Sequence, residues 1–210
     1  MKKSNKCIIF AAGEFSAVSF THIPDAFVIA ADAGLSHARS LGITPGLTVG
    51  DFDSEKGELT NCGEIIMHPP EKDDTDTMLA VKEALKRGYT DIVLYGALGG
   101  RLDHTLANIQ TLAYIASHGG SAVLIGTRET VTVLSAGTLT FPRDKRGTLS
   151  LFSLGDKCTG VTLTGLKYPL NNATLTNTFP LGVSNCFTGC ESTVTLKEGM
   201  LLVITAKKEY

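Results

Sequence analysis

Acidic residues recur in four short segments of the N-terminal half of the chain, each placed just after a predicted strand. The segments are 31–34 (ADAG), 49–54 (VGDFDS), 71–76 (EKDDTD) and 96–104 (GALGGRLDH). Hard carboxylate oxygens suit Mg²⁺, which usually binds one or two carboxylates and completes its shell with water and phosphate oxygens. Crowded carboxylates repel one another unless a cation offsets their charge. The pattern therefore predicts a site that holds a divalent metal and a phosphorylated ligand.

Candidate phosphate-binding groups lie among these acids. Lys72 and Arg101 supply positive charge, and Gly99 and Gly100 would let backbone N–H groups approach an anion at the start of a helix. If the segments meet at one edge of a sheet, a large set of carboxylates would crowd together: Asp32, Asp51, Asp53, Asp73, Asp74, Asp76 and Asp103. Such a set indicates a site for a metal and a nucleotide.

Each acidic segment also has a purely structural explanation. Residues 73–76 could be N-caps and first-turn acids, which stabilise a helix by about 0.3–1 kcal/mol each. Residues 51–54 could form a turn in which Ser54 bonds locally. Asp103 could be another cap, with His104 a surface residue. Because a cap does not require an acid after every strand, the joint occurrence of the four segments favours the functional explanation.

Familiar signatures of several other enzyme classes do not occur in the sequence. There is no GxxxxGKS or GxxxxGKT, which argues against a Walker-type nucleotide loop. No GxGxxG follows the first predicted strand, which argues against a dinucleotide-binding site. The histidines are scattered and form no HExxH, so a zinc hydrolase is not expected, and no GxSxG elbow occurs.

Short apolar runs rich in Ile and Val alternate with helical patterns in the first part of the chain. The apolar runs predict strands at 6–12, 27–31, 47–49, 64–67, 91–95 and 122–125, and the periodic segments predict helices at 76–87 and 105–117. This alternation predicts an α/β fold with a mostly parallel sheet flanked by helices. In such sheets, ligands bind beyond the carboxyl ends of the strands, where the acidic segments fall.

The pattern of apolar and polar residues changes near residue 127, after which no helical pattern occurs. Thr alternates with Val or Leu in runs that predict strands at 130–134, 139–141, 148–154, 161–166, 174–178, 192–196 and 201–206. Regularly spaced turn residues separate these runs, which is typical of an all-β sandwich or a small barrel. We therefore expect an α/β metal–nucleotide domain over 1–127 and an all-β sandwich over 128–210.

Composition argues against several classes of protein. The chain has 210 residues, of which 43% are hydrophobic, and a formal net charge of −2. Such a nearly neutral charge argues against a dedicated nucleic-acid-binding protein. No apolar run reaches the ~18 residues of a transmembrane helix, so no membrane association is expected. The short apolar segment after Lys6 does not resemble a signal peptide and the five cysteines form no CxxC pair, so we expect a reduced, cytoplasmic protein.

Taken in order along the chain, these motifs resemble those of the thiamine pyrophosphokinases. The four acidic segments, read as ADAG, GDFDS, DDTD and GGRLDH, are similar to successive motifs of the family's catalytic half. Residues 165–170 (GLKYPL) and 182–185 (GVSN) resemble the two signatures of its β domain. The resemblance extends from about residue 28 to residue 186, and the length and two-domain layout agree with it.

The resemblance implies an activity and a set of partners. Members of this family transfer a pyrophosphoryl group from ATP to the hydroxyethyl oxygen of thiamine, giving thiamine diphosphate and AMP. We therefore expect ATP and thiamine as substrates, Mg²⁺ as the metal cofactor, and thiamine bound by the β-sandwich. A homodimer with thiamine at the subunit interface is also expected.

Carried over residue by residue, the resemblance implies three groups of site residues. The expected catalytic residues are Asp51, Asp53, Asp73 and Asp76, and the expected metal ligands are Asp51, Asp53 and Asp76. The residues expected around the nucleotide are Asp32, Lys72, Thr75, Arg101, Asp103 and His104. The residues expected at thiamine are Tyr168, Ser184 and Asn185.

Several points stay open at the level of sequence. The general base could be Asp73 or Asp76, and the metal could be Mg²⁺ or Mn²⁺. Tyr168 stands where some relatives carry Trp, so it could stack on thiamine or be a core or edge aromatic of the β domain. The preferred triphosphate and the turnover rate are likewise open.

Three rival functions fit part of the pattern. An Asp-x-Asp after a strand also occurs in aspartyl phosphatases and in metal-dependent glycosyltransferases. Here Asp51 and Asp53 follow the third predicted strand rather than the first, and an all-β second half fits neither class. A non-catalytic thiamine-binding sensor is the third alternative, but binding thiamine alone requires no acidic metal cluster.

Overall fold

A computed structural model describes residues 5–51, 62–69, 71 and 73–207. The chain divides into two compact units, Met1–Thr127 and Arg128–Tyr210. Among the described residues, no helix is both long enough and apolar enough to cross a membrane.

The first unit is built on a parallel sheet. Its described strands are β1 (Lys6–Phe10), β2 (Phe27–Ala31), β3 (Leu47–Gly50), β4 (Glu64–Met67), β5 (Asp91–Tyr95) and β6 (Ser121–Ile125). They lie in the order β6-β5-β1-β2-β3-β4, and every pair of neighbours is parallel. The carboxyl ends of these strands therefore lie at one edge of the sheet, as the sequence predicted.

Apolar runs form the central strands because a sheet covered on both faces buries every side chain. Cys7 to Phe10 in β1 and Ile29 to Ala31 in β2 are all buried. The covering helices are α1 (Gly34–Ser40), α2 (Asp76–Lys86) and α3 (Leu102–Ser117). This arrangement explains why these strands are continuously hydrophobic instead of alternating with polar residues.

Helices α2 and α3 were predicted from their periodicity, whereas α1 was not. α2 buries Thr77, Ala80, Val81 and Ala84 at the expected helical spacing. α1 has seven residues, too few for a periodic pattern to stand out. It packs so closely on the end of β1 that a Cβ at Gly34 would lie 2.0 Å from the carbonyl oxygen of Phe10. Glycine is therefore required at the start of α1.

The second unit consists of two antiparallel sheets. Its strands are β7 (Glu129–Leu134), β8 (Gly137–Phe141), β9 (Thr148–Ser153), β10 (Lys157–Thr164), β11 (Leu170–Thr176), β12 (Asn185–Cys186), β13 (Ser192–Leu196) and β14 (Leu201–Ala206). Within this unit, β12-β9-β14-β7 lie side by side in one sheet, and β11-β10-β13-β8 form the other. A shared core contains Leu151 and Val203 from the first sheet and Val161, Leu163 and Val194 from the second. The predicted all-β sandwich is thus confirmed.

Strand boundaries in the second unit differ from the prediction where the backbone is irregular. β10 begins at Lys157, four residues before the predicted start at residue 161, and its register with β11 shifts between Cys158 and Val161. Gly160 lies in that bulge with a φ of +69°. A bulge interrupts the period-two alternation that identifies a strand. The two-residue strand β12 was not predicted, because two residues cannot show an alternation.

We expect Leu94→Ala to lower the free energy of unfolding by about 2–5 kcal/mol, since it opens a cavity in a packed core. Leu94 is fully buried in β5, where it lies beside Ile9 of β1 and Leu124 of β6. Urea denaturation followed by circular dichroism measures the change. The control is Val18→Ala, which truncates an almost fully exposed side chain and should change the value by less than about 0.5 kcal/mol. Equal effects of the two substitutions would contradict the assignment of Leu94 to the core.

Candidate functional site

A cleft of about 490 Å³ lies at the carboxyl edge of the parallel sheet. It is lined by residues from the segments that follow β1, β2, β3 and β5 and by the turn that opens α2. Six of the residues predicted around the metal and nucleotide line it: Asp32, Asp51, Thr75, Asp76, Arg101 and His104. Parallel strand pairing therefore brings together side chains that are far apart in the sequence.

Asp32 is held in an unusual backbone conformation at the end of β2. Its φ is +49°, a left-handed conformation that is uncommon for residues other than glycine and that Asn and Asp tolerate best. Its backbone N–H donates to the carbonyl of Val49 at 2.8 Å, and its own carbonyl accepts from the N–H of Leu35 at 3.1 Å. One oxygen of its carboxylate, Oδ1, is buried. The turn thus directs the Asp32 side chain into the protein at the edge where the cleft lies.

Asp51 comes immediately after β3 and lines the same cleft. The backbone of β3 passes close to that of Asp32, since a Cβ at Gly50 would lie 3.1 Å from the Asp32 Cα atom. The small residue lets the two acid-bearing segments approach each other. Asp53 and Lys72, which the sequence also placed in the site, lie outside the described residues.

The turn before α2 combines a capping role with a place in the cleft. Thr75 is the N-cap of α2, and its Oγ1 accepts from the backbone N–H of Met78 at 3.2 Å. Asp76 is in the first turn, where an acid interacts favourably with the helix dipole. The structural explanation of this segment is therefore correct for Thr75, whose hydroxyl accepts the capping hydrogen bond. Both residues nevertheless line the cleft, so capping and a position at the site coexist.

Asp74, next to Thr75, also lines the cleft and is paired with a cation. The Lys82 ammonium donates to Asp74 Oδ2 at 2.6 Å, and this hydrogen bond raises the pKa of Lys82. Asp73 is described but is not among the residues that line the cleft. Of these two neighbouring acids, only Asp74 therefore borders the cleft.

Arg101 and Asp103 form a two-point ion pair at the start of α3. The Arg101 guanidinium donates to Asp103 through Nε at 3.2 Å and through Nη2 at 2.6 Å, and the His104 backbone N–H donates to the same carboxylate at 2.9 Å. The Arg101 hydrogen bond is the main cause that lowers the pKa of Asp103, and the same contact raises the pKa of Arg101. Arg101 and His104 line the cleft and Asp103 does not, so Asp103 orients Arg101 from outside it.

Asn108 is a buried cleft residue that the sequence reasoning missed. Its amide Nδ2 donates to the carbonyl of Ala97 at 2.8 Å, which ties α3 to the loop after β5. Asn108 lies four residues after His104 and seven after Arg101, and all three line the cleft. Helical spacing from the GGRLDH segment was the signal that could have identified it, because residues at these intervals share a helix face.

The chemistry of this cleft fits a divalent metal. Asp32, Asp51, Asp74 and Asp76 line one space, and carboxylate oxygens are the ligands that Mg²⁺ prefers. Within residues 5–51, 62–69, 71 and 73–207, no three such side chains are already close enough to form a complete metal site. Mg²⁺ usually takes only one or two protein carboxylates and fills the rest of its shell with water and phosphate oxygens, so the acids of this cleft would be sufficient for it.

The predicted thiamine residues lie together in the second unit, but they do not have equivalent roles. Asn185 is only 2% exposed, and its side-chain amide is hydrogen-bonded to both the N–H and the carbonyl of Tyr168. Its Nδ2 donates to the Tyr168 carbonyl at 2.6 Å, while its Oδ1 accepts from the backbone N–H groups of Tyr168 and Cys186, both at 2.9 Å. Asn185 therefore fixes the loop that carries Tyr168, although it also borders a depression of about 220 Å³.

Tyr168 and Ser184 are exposed. The Tyr168 side chain is 57% exposed, which excludes a core position, and the Lys167 ammonium lies 5.3 Å from the centroid of its ring. Ser184 has a φ of +57°, and its backbone N–H donates to Ser150 Oγ at 3.0 Å. Both residues therefore present their side chains at the surface of this unit.

Two family models match the sequence, in the same order as the two units. The model of the thiamin pyrophosphokinase catalytic domain matches residues 23–124, and that of the thiamin pyrophosphokinase vitamin B1 binding domain matches residues 138–201. The chain therefore belongs to the thiamine pyrophosphokinase family. The catalytic-domain match contains all of the cleft residues except those of the segment after β1, which precedes residue 23.

Individual thiamine pyrophosphokinases support the assignment. The chain is 31% identical over 182 residues to the thiamine pyrophosphokinase of Bacillus subtilis (strain 168), covering 84% of this chain and 85% of that relative. It is 26% identical over 174 residues to thiamin pyrophosphokinase 1 of Caenorhabditis elegans, covering 79% and 71% of the two chains.

Solved structures of thiamine pyrophosphokinases have the same fold. The Bacillus subtilis structure superposes with a TM-score of 0.88 at 27% identity, covering 97% of this chain and all of the other. A family member from Enterococcus faecalis gives a TM-score of 0.82 at 28% identity, covering 98% and 100%. The reaction of the thiamine pyrophosphokinase family is transfer of a pyrophosphoryl group from ATP to thiamine, so the family, fold class and enzymatic activity predicted from the sequence are confirmed.

We expect Asn185→Ala to lower the free energy of unfolding of the second unit by about 2–4 kcal/mol, because two backbone groups of Tyr168 lose their buried partner. Thermal and urea unfolding measure the change. The matched control is Asn171→Ala, which truncates an exposed asparagine on β11 and should have little effect. If Asn185→Ala left stability unchanged and only weakened thiamine binding, Asn185 would be a ligand contact and not a support for the Tyr168 loop.

Proposed function

We propose that the cleft at the carboxyl edge of the parallel sheet binds ATP with Mg²⁺, and that the surface around Tyr168 and Ser184 binds thiamine. The observation that carries this proposal is the convergence of four described carboxylates and Arg101 on one cleft. Thiamine pyrophosphokinase chemistry needs such a site, because phosphoryl-type transfer depends on positioning and on neutralising charge more than on covalent catalysis.

Asp51 and Asp76, together with Asp53, are the proposed metal ligands, and Asp32 and Asp74 add negative charge around them. When bound, Mg²⁺ would neutralise charge on the phosphates and on the departing AMP. Arg101 would contact the phosphates directly. Because Asp103 holds the Arg101 guanidinium at two points, Arg101 is oriented before the nucleotide arrives, which lowers the entropic cost of binding.

The proposed step forms one bond and breaks one. The hydroxyl oxygen of thiamine attacks the β-phosphorus of ATP, and the bond from that phosphorus to the α–β bridging oxygen breaks, so AMP leaves with the bridging oxygen. The hydroxyl proton passes to a carboxylate. A general base must come within hydrogen-bond reach of that proton. Asp76 lines the cleft whereas Asp73 does not, which favours Asp76 as the acceptor.

Tyr168 is suited to the cationic thiazolium ring of thiamine. An aromatic face attracts a cation, and stacking on an exposed ring needs no rearrangement of the core. Lys167 lies over the same ring at 5.3 Å from its centroid, so we place thiamine on the opposite face. Asn185 would act on thiamine indirectly, because its amide already holds the Tyr168 backbone.

Exposed apolar residues around this surface support a homodimer. Tyr168, Phe179, Leu181 and Val183 all expose large parts of their side chains in the second unit. Contiguous exposed apolar residues commonly mark an interaction surface. We propose that a second copy of the chain covers them and that thiamine lies at this interface, between Tyr168 of one protomer and the acidic cleft of its partner.

We also propose a cytoplasmic location, which the state of the cysteines supports. None of the five cysteines, all of which are among the described residues, is in a disulfide. Absence of disulfides is typical of proteins in a reducing compartment.

The proposed function predicts that the protein, incubated with ATP, Mg²⁺ and thiamine, releases AMP and thiamine diphosphate in equal amounts. Asp51→Asn should lower kcat by about 10²–10³-fold, since it removes a charge that holds the metal and phosphates. Chromatographic separation of the nucleotides and of thiamine diphosphate measures both quantities. The matched control is Asp156→Asn, at an exposed position in the second unit, which should keep full activity. Release of ADP or free phosphate would contradict the proposal.

Mixed dimers test whether one site uses residues of two protomers. Asp51→Asn and Tyr168→Ala protomers, each impaired alone, should form heterodimers with one intact site when co-expressed with different tags. Because one of its two sites is intact, the heterodimer should have about half of the wild-type activity. Purification through both tags followed by the AMP assay measures the restored fraction. Failure to restore activity, or a protein that sediments as a monomer, would rule out the shared interface.

A further inference from the structure

The segment after β1 runs alongside the loop after β5, beyond the point where the two strands end. Three backbone hydrogen bonds join them: Ala11 N–H to Tyr95 O at 2.8 Å, Gly13 N–H to Gly96 O at 2.6 Å, and Glu14 N–H to Leu98 O at 3.2 Å. The next bond involves a side chain, since Glu14 Oε1 accepts from the backbone N–H of Gly100 at 3.1 Å. Glu14 therefore completes a ladder that holds the glycine-rich loop.

The loop needs such support because two consecutive glycines leave it conformationally free. Gly99 and Gly100 have φ values of +81° and +66°, and glycine loses more backbone entropy on ordering than any other residue. The Glu14 carboxyl group packs against this turn so closely that a Cβ at Gly99 would lie 2.5 Å from the Glu14 Cδ atom. Any side chain at residue 99 would therefore displace the carboxylate.

Glu14 acts on the cleft from outside it. Gly99, Gly100 and Arg101 line the cleft, whereas Glu14, although described, does not. Its carboxylate consequently does not occupy the space proposed for the phosphates. The Gly100 N–H, which the sequence suggested as an anion ligand, already donates to Glu14. This turn leads directly into Arg101, which lines the cleft.

We propose that Glu14 is a positioning residue for the nucleotide: its carboxylate holds the Gly99–Gly100 turn in the conformation that presents Arg101 to the ATP phosphates. This inference rests on the proposed function, because it assumes that the cleft binds ATP. The Gly100 N–H donates to Glu14 Oε1 one residue before Arg101. This contact therefore acts on the turn that leads directly into Arg101.

Glu14→Ala, which removes the acceptor, should raise KM for ATP about tenfold while kcat and KM for thiamine change little. Glu14→Gln, which keeps an oxygen acceptor at the same position, should stay within about twofold of the wild type. The Gly100 amide proton, followed by NMR hydrogen exchange, should exchange faster in Glu14→Ala than in the wild type or in Glu14→Gln. The matched control is Glu198→Ala, since Glu198 is an exposed glutamate of the second unit whose carboxylate accepts from Thr159 Oγ1.

The outcomes separate this inference from the proposed function. If Asp51→Asn loses turnover while Glu14→Ala behaves like Glu198→Ala, the cleft is the active site and the inference about Glu14 is wrong. If neither Asp51→Asn nor Glu14→Ala affects turnover, the cleft itself is wrongly assigned. A lower KM for ATP in Glu14→Ala would mean that Glu14 competes with the phosphates. Equal impairment of Glu14→Gln and Glu14→Ala would show that its charge, and not its hydrogen bond, matters.

Discussion

Parallel pairing brings the carboxyl ends of β1, β2, β3 and β5 to one edge of the first sheet, and the segments after them into one cleft. The site depends on this constraint, because ligands of such sheets bind beyond the carboxyl ends of the strands, where Asp32 follows β2 and Asp51 follows β3. The backbone of Asp32 shows the effect of this constraint. It accepts a left-handed backbone conformation, and its N–H continues the pairing with β3 beyond the last residue of β2.

Concentrating carboxylates in this way has an electrostatic cost, and the protein offsets part of it with its own cations. Lys82 pairs with Asp74, and Arg101 pairs with Asp103. Both pairs are exposed, so they contribute little to stability. Their main effect is to orient side chains, most clearly Arg101, which is both the partner of Asp103 and a residue of the cleft. In the proposed function, the remaining negative charge would be offset by a metal cation bound together with the phosphates.

Several residues near the two proposed sites form hydrogen bonds with the backbone of neighbouring segments. Asn185 belongs to the GVSN segment that resembles a family signature. Its buried amide, however, is hydrogen-bonded to the backbone of Tyr168 and Cys186. Thr75 caps α2, Asn108 ties α3 to Ala97, and Glu14 holds Gly100. In each case a polar side chain forms a hydrogen bond with a backbone group of a neighbouring loop or turn. The loops of both sites are thereby ordered by residues that need not touch a substrate.

The sequence by itself determined the fold class, the acids that follow four of the strands, and the family. These are local properties: burial on both faces makes β1 and β2 continuously apolar, helical spacing reveals α2 and α3, and alternation reveals the sandwich strands. Only the tertiary structure decided which neighbour in a motif faces the cleft, as with Asp74 rather than Asp73 and Arg101 rather than Asp103. It alone revealed α1, β12 and the contact between Glu14 and Gly100, which are 86 residues apart. Short elements carry too little periodicity to be recognised, and contacts between distant residues arise from packing, which no local pattern encodes.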